Sequence, residues 1–359
     1  MSKPTILVTG ATGKTGGAVV RQLLGQDYPV RALARRADER AARLRAAGAD
    51  VIIGSLEDYH ALAAAMNGAH RAYFCPPLEP GTLRRASLFA AAAQAARLEV
   101  VVELTQWVAD AVHPAVHARE KWLSHEQFVR ASGFDVITVR PGWFADNYFA
   151  VLGPAAQFGL MALPLGEGLN APPSNEDIAR VIVGGLTNPA PHVGKAYRPT
   201  GPSLMDPDQI AAAIGAALGR PVRYQDAPLP LFLKVAKSLG IPKFVISQLY
   251  WFLKDYQQGA FGLGAPTDAV LEVGGAPPEP FEAIARRYVA VTPAARRSLG
   301  GWLREAAGLA AALATPKPDI AAIEARYGLP ALTTAKLAMD STDWRDAHAP
   351  AASLARVAA

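Results

Sequence analysis

The chain has few of the sequence features that are typical of disulfide-linked, membrane-spanning or nucleic-acid-binding proteins. Its 359 residues include one cysteine, Cys75, which excludes an internal disulfide framework and a multi-cysteine metal site. Charged residues are only 19% of the chain and the basic ones are scattered, so no basic stripe predicts a nucleic-acid partner. The long uncharged segment between Asp146 and Glu167 is interrupted by Gly153, Pro154 and other helix-breaking residues, so we predict no membrane span.

What the chain does have is enough apolar sequence for a large folded core. Hydrophobic residues make up 51% of it, and its formal net charge is +5. This composition is typical of an ordered globular protein, and the length suits one large α/β domain with an attached lobe. The single cysteine, together with the absence of a signal-peptide pattern after Met1, indicates a reducing, cytoplasmic location.

The first part of the chain alternates between strand-like and helix-like segments. Apolar runs of strand length are followed by helical stretches, several of which end at a glycine, and this spacing indicates βαβ units. The sequence therefore predicts an α/β protein with a Rossmann-type, doubly wound parallel sheet. The strands are expected near residues 5–9, 29–34, 50–54, 70–75, 99–105 and 134–139, and the helices near 16–26, 38–47, 57–66, 81–97 and 114–132.

One run of glycines carries most of the chemical information. Gly10, Gly13 and Gly16 follow the first apolar strand and open the first helix. Glycines in this pattern let the backbone turn tightly, let an anion approach the amides and let the helix pack closely on the sheet. The helix N-terminus adds a positive pole for a pyrophosphate. The run therefore predicts a dinucleotide-binding turn.

The residue that ends the second strand decides which dinucleotide is favoured. An acidic residue there binds a free ribose 2′-hydroxyl, whereas this chain has Arg35 and Arg36, with Lys14 nearby. We therefore predict NADP(H), although the cations also fit an ordinary solvated surface and Asp38 or Glu39 would fit NAD. The residues predicted to bind the cofactor are Gly10, Thr12, Gly13, Lys14, Thr15, Gly16, Arg35, Arg36, Gly54, Ser55, Leu56, Cys75, Pro76, Pro77 and Pro141.

The later sequence predicts how the domains are organised. We expect an NAD(P)-binding domain over residues 1–150, to which a segment at about 170–200 returns, a smaller α/β substrate lobe over 151–300 and a helical C-terminal extension over 301–359. Residues 229–256 combine apolar and aromatic residues with spaced lysines. They fit either a pair of amphipathic helices packed on the lobe or a mobile lid over an apolar substrate.

Several motifs occur together along the chain: Val8 to Gly16, Leu33 to Arg35, Gly54 with an acidic helix start, and Ser132 to Asn147. Together they resemble the NmrA-like family, an atypical branch of the short-chain dehydrogenase/reductase superfamily, over about residues 3–290. Within that family they look most like the NADPH:quinone oxidoreductase and the azo- and triarylmethane-dye reductase members. The resemblance implies an NADPH-dependent reductase that acts on a small-molecule substrate.

The resemblance also implies where the catalytic residues lie. Most short-chain dehydrogenases protonate their substrate with a tyrosine four residues before a lysine, which places both on one helix face. On the corresponding helix this chain has His117 and Lys121, while Tyr250 and Lys254 have the spacing but lie far downstream. We expect Lys121 to bind the cofactor ribose, and His117 is a candidate proton donor. Thr105 falls at the place of the active-site serine, where a purely structural role fits equally well.

Aromatic residues near this helix are candidates for the substrate pocket. They suit a flat, conjugated substrate, and they fit the core of the lobe equally well. His113 and His117 have the spacing of a metal-binding pair, but no third ligand is specified nearby, so we predict no metal site. The predicted substrate residues are Trp107, Trp143, Phe144, Asn147 and Tyr148.

Two alternative functions are compatible with the whole sequence. The first is an NADPH-dependent oxidoreductase that transfers hydride from the nicotinamide to a small conjugated electrophile, such as a quinone, enone, imine or carbonyl. The second, which the family also contains, is a regulator that binds NADP(H) and senses its redox state without turnover. The lack of a suitably placed tyrosine favours the second function, and a homodimer is a candidate assembly for either.

Overall fold

The computed structural model describes residues 3–131, 133–329 and 332–349. Within these ranges the strands are β1 (Ile6–Val8), β2 (Val30–Ala34), β3 (Asp50–Ile53), β4 (Arg71–Phe74), β5 (Val100–Leu104), β6 (Asp135–Val139), β7 (Leu160–Leu163), β8 (Ala196–Tyr197) and β9 (Arg223–Asp226). Strands β1 to β6 and β8 form one sheet in which every pair is parallel. The order across the sheet is β3-β2-β1-β4-β5-β6-β8.

The order of the strands reverses at β1. This strand lies between β2 and β4, with Ile6 opposite Val30 on one side and Arg71 on the other. In a doubly wound sheet the loops beyond the carboxyl ends of the strands diverge at such a point and leave a crevice for a ligand. The predicted fold class is confirmed, and the short strand β8 adds an edge from the later part of the chain.

Helices cover both faces of this sheet and build the rest of the molecule. In the described ranges they are α1 (Lys14–Leu24), α2 (Glu39–Ala46), α3 (Tyr59–Met66), α4 (Thr82–Ala96), α5 (Val116–Ala131), α6 (Leu152–Phe158), α7 (Asn175–Thr187), α8 (Pro207–Leu218), α9 (Leu229–Ser238), α10 (Lys243–Gln257), α11 (Ala269–Gly274), α12 (Phe281–Val291), α13 (Leu299–Ala314), α14 (Ile320–Arg326) and α15 (Thr342–His348). Short 3-10 helices span Ala145–Val151, Pro293–Ala295 and Ala338–Asp340. Of the helices in these ranges, none has both the length and the apolarity that crossing a membrane requires.

Side-chain caps explain where two of the helices begin. Asp38, which precedes α2, accepts hydrogen bonds from the amides of Arg40 and Ala41, and Asp58 caps α3 in the same way. Each carboxylate satisfies amide donors that the helix itself leaves free. Because Asp38 is used in this way, its carboxylate belongs to the start of α2, and Arg35 is the residue that directly follows β2 and lines the crevice.

The sheet separates two layers of apolar core. α1 and α7 pack against each other on one face, over buried residues of β1, β5 and β6. α4 and α5 pack on the other face, where the ring of Phe74 contacts those of Phe89 and Phe128. A parallel sheet is expected to be buried on both faces, and this arrangement places its carboxyl edge under the lobe.

The lobe is built around a second, two-stranded parallel sheet, in which β7 pairs with β9. Its core contains Tyr148, Phe149 and Phe281, whose rings pack stacked or edge-on. α9 and α10 pack against each other, and α10 buries Gln248 and Phe252. Of the two interpretations of residues 229–256, the pair of amphipathic helices describes this arrangement.

The C-terminal region is helical, as predicted, and folds back onto the body. α13 packs against α6 and α9. The segment 332–349 then packs on α10, where the amide of Ala338 donates to Asp255, and on the loop after β5, where the indole of Trp344 donates to the carbonyl of Trp107 (3.1 Å). Trp344 is only 3% exposed, so this segment contributes to the core.

Candidate functional site

The glycine turn joins β1 to α1 at the carboxyl edge of the sheet. Gly10 has a φ of +62°, which lies in the left-handed region that favours glycine. A Cβ atom on Gly16 would lie 2.2 Å from the carbonyl oxygen of Gly10, so only glycine fits where the helix passes the turn. α1 begins after Gly13 without a side-chain cap, which leaves its first amides available to an anion.

Thr9 ties the ends of β1 and β4 together beside this turn. Its hydroxyl donates to the carbonyl of Tyr73 (3.0 Å) and accepts from the amide of Cys75 (2.8 Å). The two loops that diverge at the point of strand reversal are therefore held in a fixed relation. Cys75 is half-buried, and Pro76 and Pro77 follow it along the same wall of the crevice.

A cleft of about 330 Å³ lies between the glycine turn and the ends of β2, β3 and β4. The structure brings most of the predicted cofactor residues together around it. Those that line it are Gly10, Thr12, Gly13, Arg35, Gly54, Ser55, Leu56, Cys75, Pro76 and Pro77, and they are joined by Leu33, Arg40, Glu57, Glu79 and Arg85.

Acidic and basic side chains alternate at the mouth of this cleft. Arg35, whose side chain is 66% exposed, pairs with Glu79 at 3.0 Å. Glu79 also contacts Arg85 (3.3 Å), a buried side chain of α4 that is held by Glu57 (2.7 Å). Because a solvent-exposed pair such as Arg35 and Glu79 is weak, Arg35 can exchange its carboxylate partner for a ligand anion at little cost.

Lys14 and Thr15, at the start of α1, have partners outside the cleft lining. Lys14 forms an ion pair with Asp146 of the first 3-10 helix (2.7 Å), and the hydroxyl of Thr15 donates to Asn175 of α7 (2.6 Å). Arg36 lies exposed on the surface next to Arg35. The cofactor roles of Lys14, Thr15 and Arg36 stay predictions.

Lys121 of α5 lies against the end of β5. It is 7% exposed, and its Nζ donates to the carbonyl of Thr105 (3.0 Å). Burial lowers the pKa of Lys121, while the charges of Cys75 and Glu103 act to raise it. The hydroxyl of Thr105 is directed to the carbonyl of Val139 (3.5 Å), so Thr105 has a structural bond.

His117 lies one turn before Lys121 and is buried beside α4. Its Nδ1 is 3.1 Å from the hydroxyl of Thr82, and its amide donates to Gln248 of α10 (3.0 Å). Burial, and then the charges of Lys121 and Arg85, lower the pKa of His117 well below its usual value. The imidazole is therefore neutral near pH 7.

The other spacings noted in the sequence lead to separate local contacts. The Nδ1 of His113 accepts a backbone amide, so its Nε2 donates to the buried carboxylate of Asp255 (2.7 Å). Among the residues that the structure describes, no three histidine, cysteine or acidic side chains are grouped to hold a metal ion. The Nζ of Lys254 lies 4.7 Å from the ring centre of Tyr250, which is a cation–π contact.

The predicted substrate residues divide into core and partly exposed groups. Trp107 is 1% exposed and donates its indole N–H to the carbonyl of Ala260 (2.9 Å). Tyr148 is fully buried, with its hydroxyl 2.8 Å from that of Tyr256. Both belong to the core of the lobe, which was the alternative interpretation. The members that keep exposed surface are Trp143, Phe144 and Asn147.

The acidic residues and the buried arginine at the cleft mouth were missed from the sequence. Glu57 follows Gly54 closely, and that proximity was a usable signal. Glu79 lies 44 residues from Arg35, and no local spacing indicates that the two side chains meet. Arg85 is likewise brought to the mouth only by the packing of α4 against α3.

Comparison with known proteins places the chain in a family. A family model described as the NmrA-like family matches residues 2–265. The chain belongs to the NmrA-like family. The resemblance stated from the motifs is confirmed, and the match ends before α12.

Three relatives of this NmrA-like chain illustrate the range of the similarity. The NAD(P)H azoreductase of Xenophilus azovorans is 33% identical over 295 residues, which are 81% of this chain and all of the relative. The NADPH-dependent quinone oxidoreductase of Escherichia coli, solved with NADPH, superposes with a TM-score of 0.68 at 24% identity, covering 79% of this chain and 99% of that one. The negative transcriptional regulator NmrA, solved with NADP, has a TM-score of 0.67 at 20% identity, covering 80% of this chain and 95% of that one.

Proposed function

We propose that the chain is an NADPH-dependent reductase that transfers hydride to a small conjugated electrophile, such as a quinone, enone, imine or carbonyl. The observation that carries the proposal is the cleft at the glycine turn, with the exposed Arg35 at its mouth. An uncapped helix N-terminus suits a pyrophosphate, and an exposed guanidinium suits a ribose 2′-phosphate. The azoreductase and the quinone oxidoreductase among the relatives support the reaction class.

The binding roles follow from the contacts at the cleft. The first amides of α1 hold the pyrophosphate, because they have no side-chain cap. Arg35 turns from Glu79 to the 2′-phosphate, which carries more charge and presents several acceptor oxygens. Arg85 stays fixed by Glu57 and keeps Glu79 at the mouth, so the cleft retains one carboxylate that disfavours a misplaced anion.

At the reacting end, Lys121 is the group best placed to act. When bound, the reduced nicotinamide supplies the hydride. Lys121 uses one N–H for the carbonyl of Thr105 and has two more for the ribose hydroxyls and the substrate oxygen. Its burial strengthens these bonds and lowers its pKa, which makes it a better proton donor than the neutral His117. His117 then acts by fixing α5 against α4 through Thr82.

The decisive experiment measures NADPH oxidation with a panel of quinones, enones and azo dyes. Wild-type protein is expected to reduce at least one member. Lys121→Met is expected to lower kcat by about 100- to 1,000-fold while NADPH binding stays measurable. Lys195→Met, at an exposed lysine beside β8, is the matched control and is expected to leave kcat unchanged. If the protein reduced no member of the panel, the proposed reductase function would be refuted. An unchanged kcat in Lys121→Met would remove Lys121 from the mechanism.

A regulator that binds NADP(H) without turnover is the second candidate. It is supported by the likeness to the regulator NmrA, and by His117 at the place on α5 where a catalytic tyrosine is expected. Under this alternative the protein binds NADPH with micromolar or better affinity, yet oxidises it with no member of the panel. Titration calorimetry of NADPH and NADP, run beside the activity panel, separates the two candidates.

The partner of the folded chain is proposed to be a second copy, which pairs through α13. Large apolar residues at three- and four-residue spacing form one stripe on the outward side of this helix, while Gly301 and Ala312 are buried on the inward side. Two such stripes bury roughly 1,000 Å² in total, which is enough for a small specific interface. The stripe consists of Leu299, Trp302, Leu303, Leu309 and Leu313, which are 47% to 77% exposed.

Sedimentation velocity tests this homodimer. Wild-type protein is expected to sediment as a dimer, and the double variant Leu303→Lys with Leu309→Lys as a monomer. Leu239→Lys, at a 72% exposed leucine outside the stripe, is expected to remain dimeric. A monomeric wild type would refute the pairing. The cytoplasmic location inferred from the single cysteine stays a prediction.

A further inference from the structure

The carboxyl edge of the sheet carries a second group of polar residues on the far side of β5 from the cleft. Three neighbouring strands are each followed by a buried side-chain nitrogen that has no hydrogen-bond partner among the described residues: Gln106 Nε2 after β5, Arg140 Nε after β6 and Arg198 Nη1 after β8. Because these strands are parallel, the three residues leave the sheet at the same edge. Buried donors nearly always have partners, so three unpartnered ones at one edge indicate a missing acceptor.

Arg140 and Arg198 bring two like charges into this half-buried region. Among the residues that the structure describes, the Arg198 side chain forms one long hydrogen bond, to the carbonyl of Ala347 (3.4 Å), and its guanidinium lies 5.3 Å from the ring centre of Trp107. Burial lowers the pKa of both arginines, and the charge of Arg140 lowers that of Arg198 further. Such a pair is unfavourable unless an anion lies with it.

The nearest carboxylates do not fill that role. Glu103 and Glu126 raise the pKa of Arg140 against the effect of burial, yet each is committed to another partner. Glu103 accepts a hydrogen bond from Thr138 (3.0 Å), and Glu126 pairs with Arg130 (2.7 Å). Within the described ranges of the chain, Arg140 and Arg198 form no ion pair.

The C-terminal segment closes the same region with a buried histidine. His348 is 4% exposed, and its ring stacks on that of Trp344 at 3.9 Å. Its Nδ1 donates to the carbonyl of Trp344 (2.8 Å), so the Nε2 of the neutral ring carries a lone pair and donates no hydrogen bond. His348 also lies 5.6 Å from Trp107, on whose ring Arg198 packs, so both groups adjoin one aromatic wall.

We propose that Arg140 and Arg198, beside the aromatic wall that Trp107 and His348 form, make a binding site for the carboxylate or phosphate group of an anionic ligand. Such an oxyanion would accept the unpartnered guanidinium N–H groups and neutralise the two like charges. We infer that the anion belongs to the substrate, an inference that rests on the proposed reductase function. The site follows the strands next to Thr105 and Lys121, so a substrate anchored there extends its reactive part toward Lys121.

The substrate arm of the test compares a naphthoquinone carboxylic acid with its methyl ester. In wild-type protein the acid is expected to have the higher kcat/KM. In Arg198→Leu the ratio of kcat/KM for acid over ester is expected to fall about 10- to 100-fold, because a charge-assisted hydrogen bond is lost. Arg198→Lys restores part of the ratio. Arg223→Leu, at an exposed arginine of β9, is the matched control and keeps the wild-type ratio.

The binding arm uses inorganic phosphate and thermal unfolding, and it needs no turnover. In phosphate-free buffer Arg198→Leu is expected to be at least as stable as wild type, since one of two like charges is gone. Phosphate is expected to raise Tm in wild type and to leave Tm in Arg198→Leu unchanged. A destabilised variant would assign Arg198 a structural role and overturn the proposal.

The two arms separate the possible outcomes. A phosphate shift that depends on Arg198, with equal treatment of acid and ester, supports the oxyanion site and identifies a free anion as its occupant. If no panel member is reduced, the reductase fails, while the phosphate shift still decides the site. If neither the substrate ratio nor the phosphate shift depends on Arg198, the proposal is refuted.

Discussion

Two pairs of arginines lie at the same carboxyl edge of one sheet, and they differ in how their charge is balanced. Arg35 and Arg85 face Glu79 and Glu57 at the mouth of the cleft. Arg140 and Arg198, beyond β5, have no such partners among the described residues and are covered by the C-terminal segment. An exposed arginine with a weak carboxylate partner exchanges it easily, whereas a buried pair depends on what binds to it.

The cleft and the group around Arg140, Arg198 and His348, which we call the far end, also differ in what holds them in place. The cleft is shaped by backbone, through the close approach of Gly16 to Gly10. The far end is held by side chains that arrive late in the sequence, above all Trp344 and His348. Changes to the glycine turn should therefore weaken dinucleotide binding most, and truncation of Trp344 should lower the stability of the fold most.

The largest expected effect on cofactor binding comes from Gly16→Val, which would deform the glycine turn. Its Cβ would lie 2.2 Å from the carbonyl of Gly10, so α1 must move away from the turn. We expect NADPH affinity to fall by about 100-fold or more, measured by fluorescence titration. Gly17→Ala is the control, because its Cβ would lie at an ordinary 3.4 Å from the carbonyl of Ala11. Wild-type affinity in Gly16→Val would contradict the role of the turn.

Trp344→Ala removes a buried ring from the far end. The ring is 3% exposed and its indole bonds to the carbonyl of Trp107, so truncation leaves a large cavity. We expect the free energy of unfolding to fall by about 3–5 kcal/mol in urea denaturation, with NADPH affinity retained. Leu271→Ala, at a 50% exposed residue of α11, is expected to cost less than about 1 kcal/mol. A parallel loss of NADPH affinity would show that the two ends are coupled.

The sequence was informative about the first end because its signals are local. Gly10, Gly13, Gly16 and Arg35 lie within two consecutive βα units, so their spacing alone predicted a turn, a helix start and a strand end that meet. The place of Lys121 came from the resemblance, and its bond to the end of β5 agrees with it. Local periodicity and family motifs were sufficient for this part.

The far end could not be predicted, since it depends on contacts between distant parts of the chain. The bond between Trp107 and Trp344 joins residues 237 positions apart, and nothing in the spacing of either residue indicates it. The aromatic residues proposed for the substrate pocket had a related problem. Core and pocket require the same residue types, so the sequence left both open, and Trp107 and Tyr148 lie in the core.

Arg35→Leu sharpens the comparison at the cleft. Loss of a charge-assisted bond to the 2′-phosphate is expected to weaken NADPH binding by about 1.5–3 kcal/mol while NADH binding hardly changes, as measured by titration calorimetry. Glu79→Gln removes the competing carboxylate and is expected to leave NADPH binding equal or tighter. Arg223→Leu, at an exposed arginine of β9 outside the cleft lining, is the control. An equal loss for NADH would refute the phosphate role of Arg35.

The smallest expected effect is the pH dependence that His348 gives to the free energy of unfolding. Burial, and then the charges of Arg198 and Arg140, lower its pKa to about 3. A histidine with a lowered folded-state pKa stabilises the fold above its unfolded-state pKa and loses that contribution as the pH falls toward the folded-state value. Between pH 6.5 and 5.5 we expect a loss of about 1 kcal/mol, and then about 1.4 kcal/mol per unit.

His348→Gln isolates the contribution of His348 to this pH dependence, because glutamine does not titrate and His117 and His192 remain in both proteins. The difference in unfolding free energy between wild type and variant, measured by urea denaturation in phosphate-free buffer, should shrink as the pH is lowered from 7 to 5. A difference that is constant with pH would mean that His348 has the same pKa in the folded and the unfolded state. An anion would then already balance Arg140 and Arg198, and the contrast between the paired and the unpaired arginines would disappear.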